Sequence, residues 1–187
     1  MRLLIMGPPG AGKGTQAVFI AGALGVPHIS TGDIFRANVS AGTPLGEEAQ
    51  RYMDAGEYVP DSITNAMVRD RISHEDCSPG FLLDGYPRTL EQVTELDMML
   101  EADGLRLDRV VELTVDTDEV VARLLKRAQD QGRADDTAEV IRRRLEVYFE
   151  QTAPLVAVYS ERGILAEVDG MGEVPEVSER ILTVLRG

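Results

Sequence analysis

The chain has 187 residues, of which 43% are hydrophobic, so it is long enough to form one domain with a sizeable core. Its 19 lysines and arginines against 32 aspartates and glutamates give a net charge of −13, which argues against a basic face for nucleic acid or an anionic membrane. The single cysteine, Cys77, excludes an intramolecular disulfide and a four-cysteine zinc site. No apolar run approaches the roughly 18 residues of a membrane span, and the first six residues are too short for a signal peptide core, so we expect a cytoplasmic domain.

Short apolar runs alternate with longer stretches of helical periodicity. The predicted strands cover residues 2–6, 28–29, 81–84, 110–115 and 164–168. The predicted helices cover residues 13–24, 90–101, 118–128, 137–162 and 174–185, with two small helices within 30–60. This alternation favours right-handed crossovers and a mostly parallel sheet, which is an α/β fold. Residues 127–137 are polar and contain a glycine, and we interpret them as an exposed flexible loop.

A glycine-rich segment, GPPGAGKGT at residues 7–15, follows the first predicted strand and opens the first helix. This context is typical of a phosphate-binding loop, in which glycines let backbone N–H groups approach phosphate oxygens and the helix N-terminus adds positive charge. Lys13 can then reach the β- and γ-phosphates, and the Thr15 hydroxyl is placed for the Mg²⁺ shell. The alternative is a glycine-rich turn between a strand and a helix. The residues expected on ATP are Gly10, Ala11, Gly12, Lys13, Gly14 and Thr15.

The kind of nucleotide site can be narrowed by what the chain lacks. A GTPase carries a guanine-reading Asn-Lys-x-Asp element. The chain has only two lysines, Lys13 and Lys126, and neither follows an asparagine. The sequence therefore argues against a GTPase.

Five further segments follow the loop: STGDIFR at 30–36, DAGEYVP at 54–60, GFLLDGYPRT at 80–89, GRADD at 132–136, and an arginine-rich helix ending in TAP at 152–154. Their order and spacing resemble those of the adenylate kinases along the whole chain. The resemblance implies reversible phosphoryl transfer between ATP and AMP, giving two ADP, with Mg²⁺. It also implies a P-loop fold with a five-stranded parallel sheet flanked by helices.

The resemblance divides the chain into three parts. The core P-loop domain would comprise residues 1–29, 60–126 and 138–187. Residues 30–59 would form a helical AMP-binding flap, and residues 127–137 a short lid. The lid has no cysteine, so the resemblance is to the short-lid form and a zinc site is excluded. The expected partners are the small molecules ATP, AMP and ADP, and because the cleft needs no second subunit, we expect a monomer.

The resemblance assigns the AMP site to residues of these motifs. Arg36 and Arg88 are expected on the AMP phosphate, and Thr31 and Gln92 beside the adenine. Taken alone, Thr31 is typical of a helix N-cap, and only the resemblance favours contact with a ligand. Further contacts, mainly from the backbone, are expected from Glu57, Tyr58, Val59, Gly85, Tyr86 and Pro87.

Two carboxylates are candidates for the water shell of Mg²⁺. Asp84 ends a predicted buried strand at the carboxyl edge of the sheet, where ligands of open α/β sheets bind. Mg²⁺ prefers oxygen ligands and keeps several waters, so we expect Asp84, with Asp33 and Thr15, to hold it through water rather than directly. The alternative for Asp84 is a helix cap at the end of a strand.

Helical geometry places the arginines that follow the lid. At about 100° per residue, the apolar residues from Val140 to Phe149 form one arc, with Arg144 inside it and Arg143 pointing to solvent. A guanidinium that faces inward needs an anion, either a structural carboxylate or a substrate phosphate. The resemblance favours the phosphate.

Further arginines are expected on the ATP side. Arg123 and Arg127 lie four residues apart on one helix, which is mildly destabilising unless an anion bridges them. The alternative is two arginines on a solvated helix edge. The resemblance places Arg127 on an ATP phosphate, Arg123 near the adenine or polyphosphate, and the backbone of Gly172 against the adenine. Arg133 in the lid is expected to close onto both the transferring phosphoryl group and AMP.

Catalysis of phosphoryl transfer is mainly positioning and electrostatic stabilisation, so no general base is required. The expected catalytic residues are Lys13, Asp84, Arg88, Arg133 and Arg144. Two other functions stay open. One is a sister kinase acting on UMP or CMP, against which Thr31 and Gln92 argue. The other is a regulator that closes around ATP without turnover, against which the full set of arginines argues.

Overall fold

The computed structural model describes residues 1–131 and 137–187, and within them it has five strands. The strands are β1 (Arg2–Met6), β2 (His28–Ser30), β3 (Phe81–Asp84), β4 (Arg109–Thr114) and β5 (Leu165–Asp169). Each of their bounds lies within one residue of the prediction. All neighbouring pairs are parallel, in the order β2-β3-β1-β4-β5. The α/β fold with a five-stranded parallel sheet is therefore confirmed.

Helices cover both faces of this sheet. The helices of the described residues are α1 (Lys13–Leu24), α2 (Thr31–Ser40), α3 (Pro44–Ala55), α4 (Asp61–Ile72), α5 (Leu90–Glu101), α6 (Thr117–Gln131), α7 (Ala138–Val147), α8 (Leu155–Glu161) and α9 (Val174–Arg186). A 3-10 turn spans Glu75–Cys77 and a π-helical turn spans Tyr148–Thr152. None of the described helices has both the length and the apolar composition needed to cross a membrane.

The central strand β1 is buried on both sides because successive side chains point to opposite faces. Leu4 packs into the cluster that includes α5 and α8, whereas Leu3 and Ile5 pack into the cluster that includes α1 and α9. Leu3 and Leu4 are fully buried, and each contributes roughly 2–3 kcal/mol relative to exposure. This two-sided core holds the carboxyl end of β1, from which the glycine-rich segment departs.

Three helical segments differ from the prediction. No helix was predicted over α4, whose only buried residues are Thr64 and Val68, so its periodicity is weak. The segment from residue 127, expected to be a loop, continues α6 as far as Gln131 because Arg, Ala and Gln favour a helix. The helix expected over 137–162 is divided into α7, the π-helical turn and α8, since Pro154 cannot continue the helical hydrogen bonds.

The helices α2 and α3 pack together around a small apolar cluster centred on Phe35, Ala49 and Val59, against which Ile63 and Met67 of α4 also pack. Gly46 allows their close approach, because a Cβ there would lie 2.2 Å from the Asn38 carbonyl oxygen. The strand register also brings the carboxyl ends of β1, β2 and β3 together. Asp84 pairs with Ile5 on one side and with Ser30 on the other. Ligands of open parallel sheets bind at this edge.

Candidate active site

A cleft of about 740 Å³ opens at the carboxyl ends of β1, β2 and β3. It brings together most of the residues predicted for the site: Gly10, Gly12, Lys13, Gly14, Thr15, Thr31, Asp33, Arg36, Glu57, Tyr58, Val59, Asp84, Gly85, Tyr86, Pro87, Arg88, Gln92, Arg123, Arg127 and Arg144. Ala11 is buried behind the loop, and Gly172 is exposed outside the lining. Arg133 lies outside the described residues.

The glycine-rich loop wraps around the start of α1. Lys13 Nζ donates to the carbonyl oxygens of Gly7 at 2.8 Å and Pro8 at 3.0 Å. Burial lowers the pKa of Lys13 to about 8, while Asp84 opposes this shift and Arg88 adds to it. At neutral pH the lysine is therefore still mostly charged, in surroundings that favour an anionic ligand.

The first turn of α1 faces the same space. Its N-cap is Gly12, at φ +90°, and a glycine offers no side chain to cap the first-turn N–H groups. The first turn also holds no acidic residue, and the Thr15 hydroxyl is exposed in the cleft. The helix end is thus suited to a phosphate group.

Asp84 lies opposite this helix end, 8% exposed. A Cβ placed on Gly14 would be 3.6 Å from its Oδ2 atom, so the carboxylate faces the start of α1. The same oxygen lies 3.4 Å from His28 Nε2. His28 thus lines the cleft beside a predicted site residue. The alternative role of Asp84 as a helix cap is wrong, because Thr89 caps α5.

The carbonyl of Gly85 joins two predicted site residues. It accepts from Thr31 Oγ1 at 2.9 Å and from Arg88 Nε at 2.7 Å. Gly85 has φ +83°, and a Cβ there would lie 2.7 Å from Thr31 Oγ1 and 2.9 Å from Arg88 Nη2. Only glycine fits. Ser30, not Thr31, caps α2, so the N-cap reading of Thr31 is wrong.

Arg88 makes two further contacts. Its guanidinium lies 5.0 Å from the centre of the Tyr58 ring, a cation–π contact. Thr152 Oγ1 donates to the Arg88 carbonyl at 2.8 Å and lies 2.6 Å from the Tyr58 hydroxyl, which donates to it in turn. Burial lowers the pKa of Arg88, which Tyr58 and Asp84 partly offset. Thr152 was given no role from the sequence, although the TAP segment contains it.

Two predicted residues of α2 contact each other. Arg36 Nη2 donates to Asp33 Oδ1 at 2.5 Å, one turn apart. A Cβ on Gly32 would lie 3.0 Å from the same nitrogen, so the guanidinium lies close to the space that a side chain at Gly32 would occupy. The Asp33 carboxylate therefore forms an ion pair with Arg36 and also lines the cleft.

The helical periodicity of α7 predicts the position of Arg144 correctly and that of Arg143 wrongly. Arg144 lines the cleft as predicted. Arg143 is not simply solvated: its Nε donates to Glu57 Oε1 at 2.6 Å and its Nη1 to Glu146 Oε2 at 3.3 Å. Phe149 was expected in the apolar arc but is 52% exposed, because the π-helical turn shifts the phase after Val147.

Cationic side chains of α6 also line the cleft. Arg123 and Arg127 both face the cleft, and Arg123 Nε donates to Glu119 Oε1 at 3.0 Å, which relieves part of the expected repulsion. Lys126 also lines the cleft and was missed, since it was noted only as one of two lysines. Gly172 follows Met171, whose Sδ lies 4.0 Å from Arg123 Nη2.

Comparison of the chain with known proteins identifies its family. The family model described as adenylate kinase matches residues 5–164, most of the chain. The chain belongs to the adenylate kinase family. It is therefore an enzyme, a kinase of the transferase class, as the resemblance predicted. Its length of 187 residues is consistent with the short-lid form of the adenylate kinases.

Individual adenylate kinases match nearly the whole chain. The protein of Kocuria rhizophila is 67% identical over 184 residues, covering 98% of each chain. That of Nocardioides sp. is 66% identical over 185 residues, covering 99% of this chain and 97% of the relative. That of Thermobifida fusca is 57% identical over 186 residues, covering 100% and 98%. Each carries the name adenylate kinase.

Among residues 1–131 and 137–187, no three His, Cys, Asp or Glu side chains are grouped so that they could hold a metal ion directly. A zinc-binding group of the kind found in long-lid adenylate kinases is thus not seen in the described part of the chain.

Proposed function

We propose that the chain catalyses the reversible transfer of a phosphoryl group between ATP and AMP, giving two ADP. The observation that carries this proposal is a single cleft whose phosphate loop faces a second set of cationic and polar side chains. Lys13 lies on the loop side, and Arg88 and Arg36 lie on the other side. Two nucleotides bound end to end would meet with their phosphates between these cations.

We assign one end of the cleft to AMP. Arg36 and Arg88 would bind its phosphate, and Arg144 would contact it from α7. Thr31 and Gln92 would lie beside the adenine. The frame of this subsite would come from Glu57, Tyr58, Val59, Gly85, Tyr86 and Pro87. The shared carbonyl of Gly85 supports the assignment, because it fixes Thr31 and Arg88 relative to each other.

We assign the loop end to ATP. Backbone N–H groups of Gly10, Ala11, Gly12 and Gly14 would surround its phosphates, with Lys13 on the β- and γ-phosphates. Arg123 and Arg127 would bind from α6, and the backbone of Gly172 would lie against the adenine. Arg133 would complete the site by closing over the transferring group and AMP.

Mg²⁺ would accompany ATP, held through waters near Thr15, Asp84 and Asp33. The donor set suits it, because carboxylate and hydroxyl oxygens are the ligands that Mg²⁺ prefers. Asp84 is placed best, since its oxygen faces the first turn of α1. Bound there, the ion would neutralise charge on the ATP phosphates.

Charge that develops on the migrating group would be stabilised by Lys13, Arg88, Arg133 and Arg144 once the nucleotides are in line. The AMP phosphate is largely ionised at neutral pH, so no residue has to remove a proton. Closure of the cleft would exclude water that could otherwise hydrolyse ATP.

We divide the chain accordingly into a core domain of residues 1–29, 60–126 and 138–187, an AMP-binding flap of residues 30–59 and a short lid of residues 127–137. The apolar cluster shared by α2 and α3 supports this division, because it packs the two helices of the flap together. Because residues of one chain line the whole cleft, we propose a monomer, and its nucleotide substrates favour the cytoplasm. Light scattering would test the first point.

The nucleoside monophosphate profile tests the function. The purified chain is mixed with ATP, Mg²⁺ and either AMP, UMP or CMP, and ADP is measured. We expect turnover at tens to hundreds per second with AMP and a preference of at least about 100-fold in kcat/KM. Equal rates with UMP would indicate the sister kinase, and no turnover with any monophosphate would indicate a regulator. Lys13→Ala should abolish turnover while the circular dichroism spectrum stays unchanged.

A further inference from the structure

The side-chain amide of Gln92 is held at both ends although it lies on the wall of the cleft. Gln92 is only 1% exposed. Its Oε1 accepts from the backbone N–H of Arg88 at 2.7 Å, and its Nε2 donates to Asp61 Oδ1 at 2.7 Å. One N–H and one lone pair of the amide are left over for another partner.

These two partners fix which end of the amide is oxygen. A backbone N–H can only donate, and an ionised carboxylate can only accept. If the amide turned by 180°, its nitrogen would face the N–H of Arg88 and its oxygen would face the carboxylate of Asp61. Both contacts would be repulsive in a buried site, where unmatched polar groups are most costly.

Asp61 is itself held in place, although it does not line the cleft. It is the first residue of α4, and its Oδ2 accepts from Thr89 Oγ1 at 3.1 Å. The Thr89 hydroxyl oxygen also accepts from the backbone N–H of Gln92, as the N-cap of α5. One carboxylate thus connects the start of α4 with the start of α5, and it has one well-defined orientation.

We propose that Asp61 is a positioning residue that determines base specificity: by fixing the polarity of the Gln92 amide, it selects a 6-amino purine monophosphate against a 6-oxo purine monophosphate. This inference rests on the proposed function, in which Gln92 lies beside the base of AMP. Adenine offers a donor at its 6-amino group and an acceptor at N1. Hypoxanthine offers the reverse, an acceptor at O6 and a donor at N1. An amide that pairs with the first edge must turn around to pair with the second.

The hydroxyl of Thr31 has the same fixed polarity. Its hydrogen is donated to the Gly85 carbonyl at 2.9 Å, so its oxygen can only accept from a base. An acceptor there suits an amino group and repels a keto oxygen. Because this contact does not involve Asp61, it leaves part of the selectivity in place when Asp61 is changed.

The test compares AMP with IMP at fixed ATP and Mg²⁺ for the wild type and Asp61→Asn. Asparagine keeps the shape of the side chain, but its amide can donate to a reversed Gln92 oxygen, so one of the two repulsive contacts disappears. We expect the ratio of kcat/KM for AMP to that for IMP to fall at least about tenfold. The loss of each monophosphate is followed by ion-exchange chromatography, which treats both substrates alike.

Glu91→Gln is the matched control. Glu91 is exposed, precedes Gln92 in the first turn of α5, and loses the same charge. Its AMP-to-IMP ratio should stay within twofold of the wild type. If Asp61 only supported the fold, Asp61→Asn would lower kcat/KM for both substrates equally and leave the ratio unchanged.

Gln92→Ala gives a second, independent measurement that does not need Asp61→Asn to fold. Removal of the amide should itself lower the AMP-to-IMP ratio at least about tenfold. In this background Asp61→Asn should have no further effect on the ratio, because Asp61 acts through Gln92. An unchanged ratio in either single variant, with AMP still converted, overturns the inference alone. A wild type that forms no ADP from ATP and AMP overturns the proposed function and the inference with it.

Discussion

At the scale of single residues, one peptide group organises two side chains of the cleft. The Gly85 carbonyl has two lone pairs, and Thr31 and Arg88 occupy both of them. Neither side chain can move away without leaving a partly buried acceptor short of a partner. The geometry of the proposed AMP subsite therefore depends on a residue that has no side chain.

Gly85→Ala should weaken AMP binding as well as destabilise the fold. Its Cβ would meet Thr31 Oγ1 and Arg88 Nη2, both under 3 Å, in a backbone conformation that alanine rarely adopts. We expect KM for AMP to rise at least about tenfold, and the free energy of unfolding to fall by about 1–3 kcal/mol. Steady-state kinetics and urea unfolding measure the two effects.

Gly104→Ala separates the two causes. Gly104 also has a positive φ, +68°, but a Cβ there would have no atom within 4 Å. It should therefore show the loss of stability and keep the wild-type KM. An unchanged KM in Gly85→Ala would contradict the proposed role of the shared carbonyl.

At the scale of elements, the turn after α3 is tied to the segment after residue 137 by two side chains. Glu57 forms an ion pair with Arg143 of α7, and Tyr58 forms a hydrogen bond with Thr152 of the π-helical turn. Gly56 packs against the same helix, since a Cβ there would lie 3.2 Å from that of Arg143. The last residues of the proposed flap are thus in contact with α7, the helix that carries Arg144.

Thr152→Val should disturb Arg88 without changing the shape of the side chain. The Arg88 carbonyl would lose a donor, and the Tyr58 hydroxyl would lose its acceptor. We expect the free energy of unfolding to fall by about 1–3 kcal/mol and kcat/KM for AMP to fall about tenfold. Thr94→Val, whose hydroxyl donates to Leu90 of its own helix at an exposed site, should leave kcat/KM unchanged. Equal kinetics in the two variants would argue against positioning by Thr152.

The neighbouring arginines of α7 should differ strongly in activity. Arg144→Ala should lower kcat/KM at least about 100-fold, which corresponds to roughly 3 kcal/mol of transition-state stabilisation. Arg143→Ala removes a half-exposed ion pair and should lower kcat/KM by less than about fivefold. Arg142→Ala, at an exposed position, provides the baseline. Similar losses in Arg143→Ala and Arg144→Ala would refute the assignment of Arg144 to a phosphate.

The sequence could predict those elements and residues whose position depends on local pattern. The strands are buried runs, the phosphate loop is a local motif, and the inward face of Arg144 follows from helical periodicity. The ties of Glu57 to Arg143 and of Tyr58 to Thr152 join residues 86 and 94 positions apart. They depend on the π-helical turn and on how the turn after α3 packs against α7. Neither of these features produces a periodic pattern in the sequence. Asp61 was missed for the same reason, since its partner Gln92 lies 31 positions away.

At the scale of the whole molecule, the charge of the cleft is opposite to that of the chain. Among the described residues, seven cationic side chains line it: Lys13, Arg36, Arg88, Arg123, Lys126, Arg127 and Arg144. Four carboxylates share the lining: Asp33, Glu57, Asp84 and Asp130. The difference is +3, against −13 for the chain. The excess of positive charge in one cleft is self-repulsive and reduces the stability of the nucleotide-free protein.

The pH dependence of stability should reveal this cost at Lys13. Burial lowers its pKa to about 8 in the folded state, against about 10.5 when unfolded. Between these values the unfolded chain binds more protons, so the contribution of Lys13 to the free energy of unfolding rises with pH. We expect the free energy of unfolding of the wild type, relative to that of Lys13→Met, to increase between pH 7 and pH 10. Urea unfolding without nucleotide measures this difference. A pH-independent difference between the two proteins would contradict the buried charge.

The phosphate loop and α6 are in direct contact at Gly10. A Cβ there would lie 2.8 Å from Leu124 Cγ and 3.0 Å from the Val120 carbonyl oxygen, and both residues of α6 are almost fully buried. The first half of α6 is therefore clamped to the loop. Any movement that carries Lys126 and Arg127 across the cleft must therefore bend α6 after Leu124. The turns of α6 before this point stay packed against the loop, and only the later turns change position.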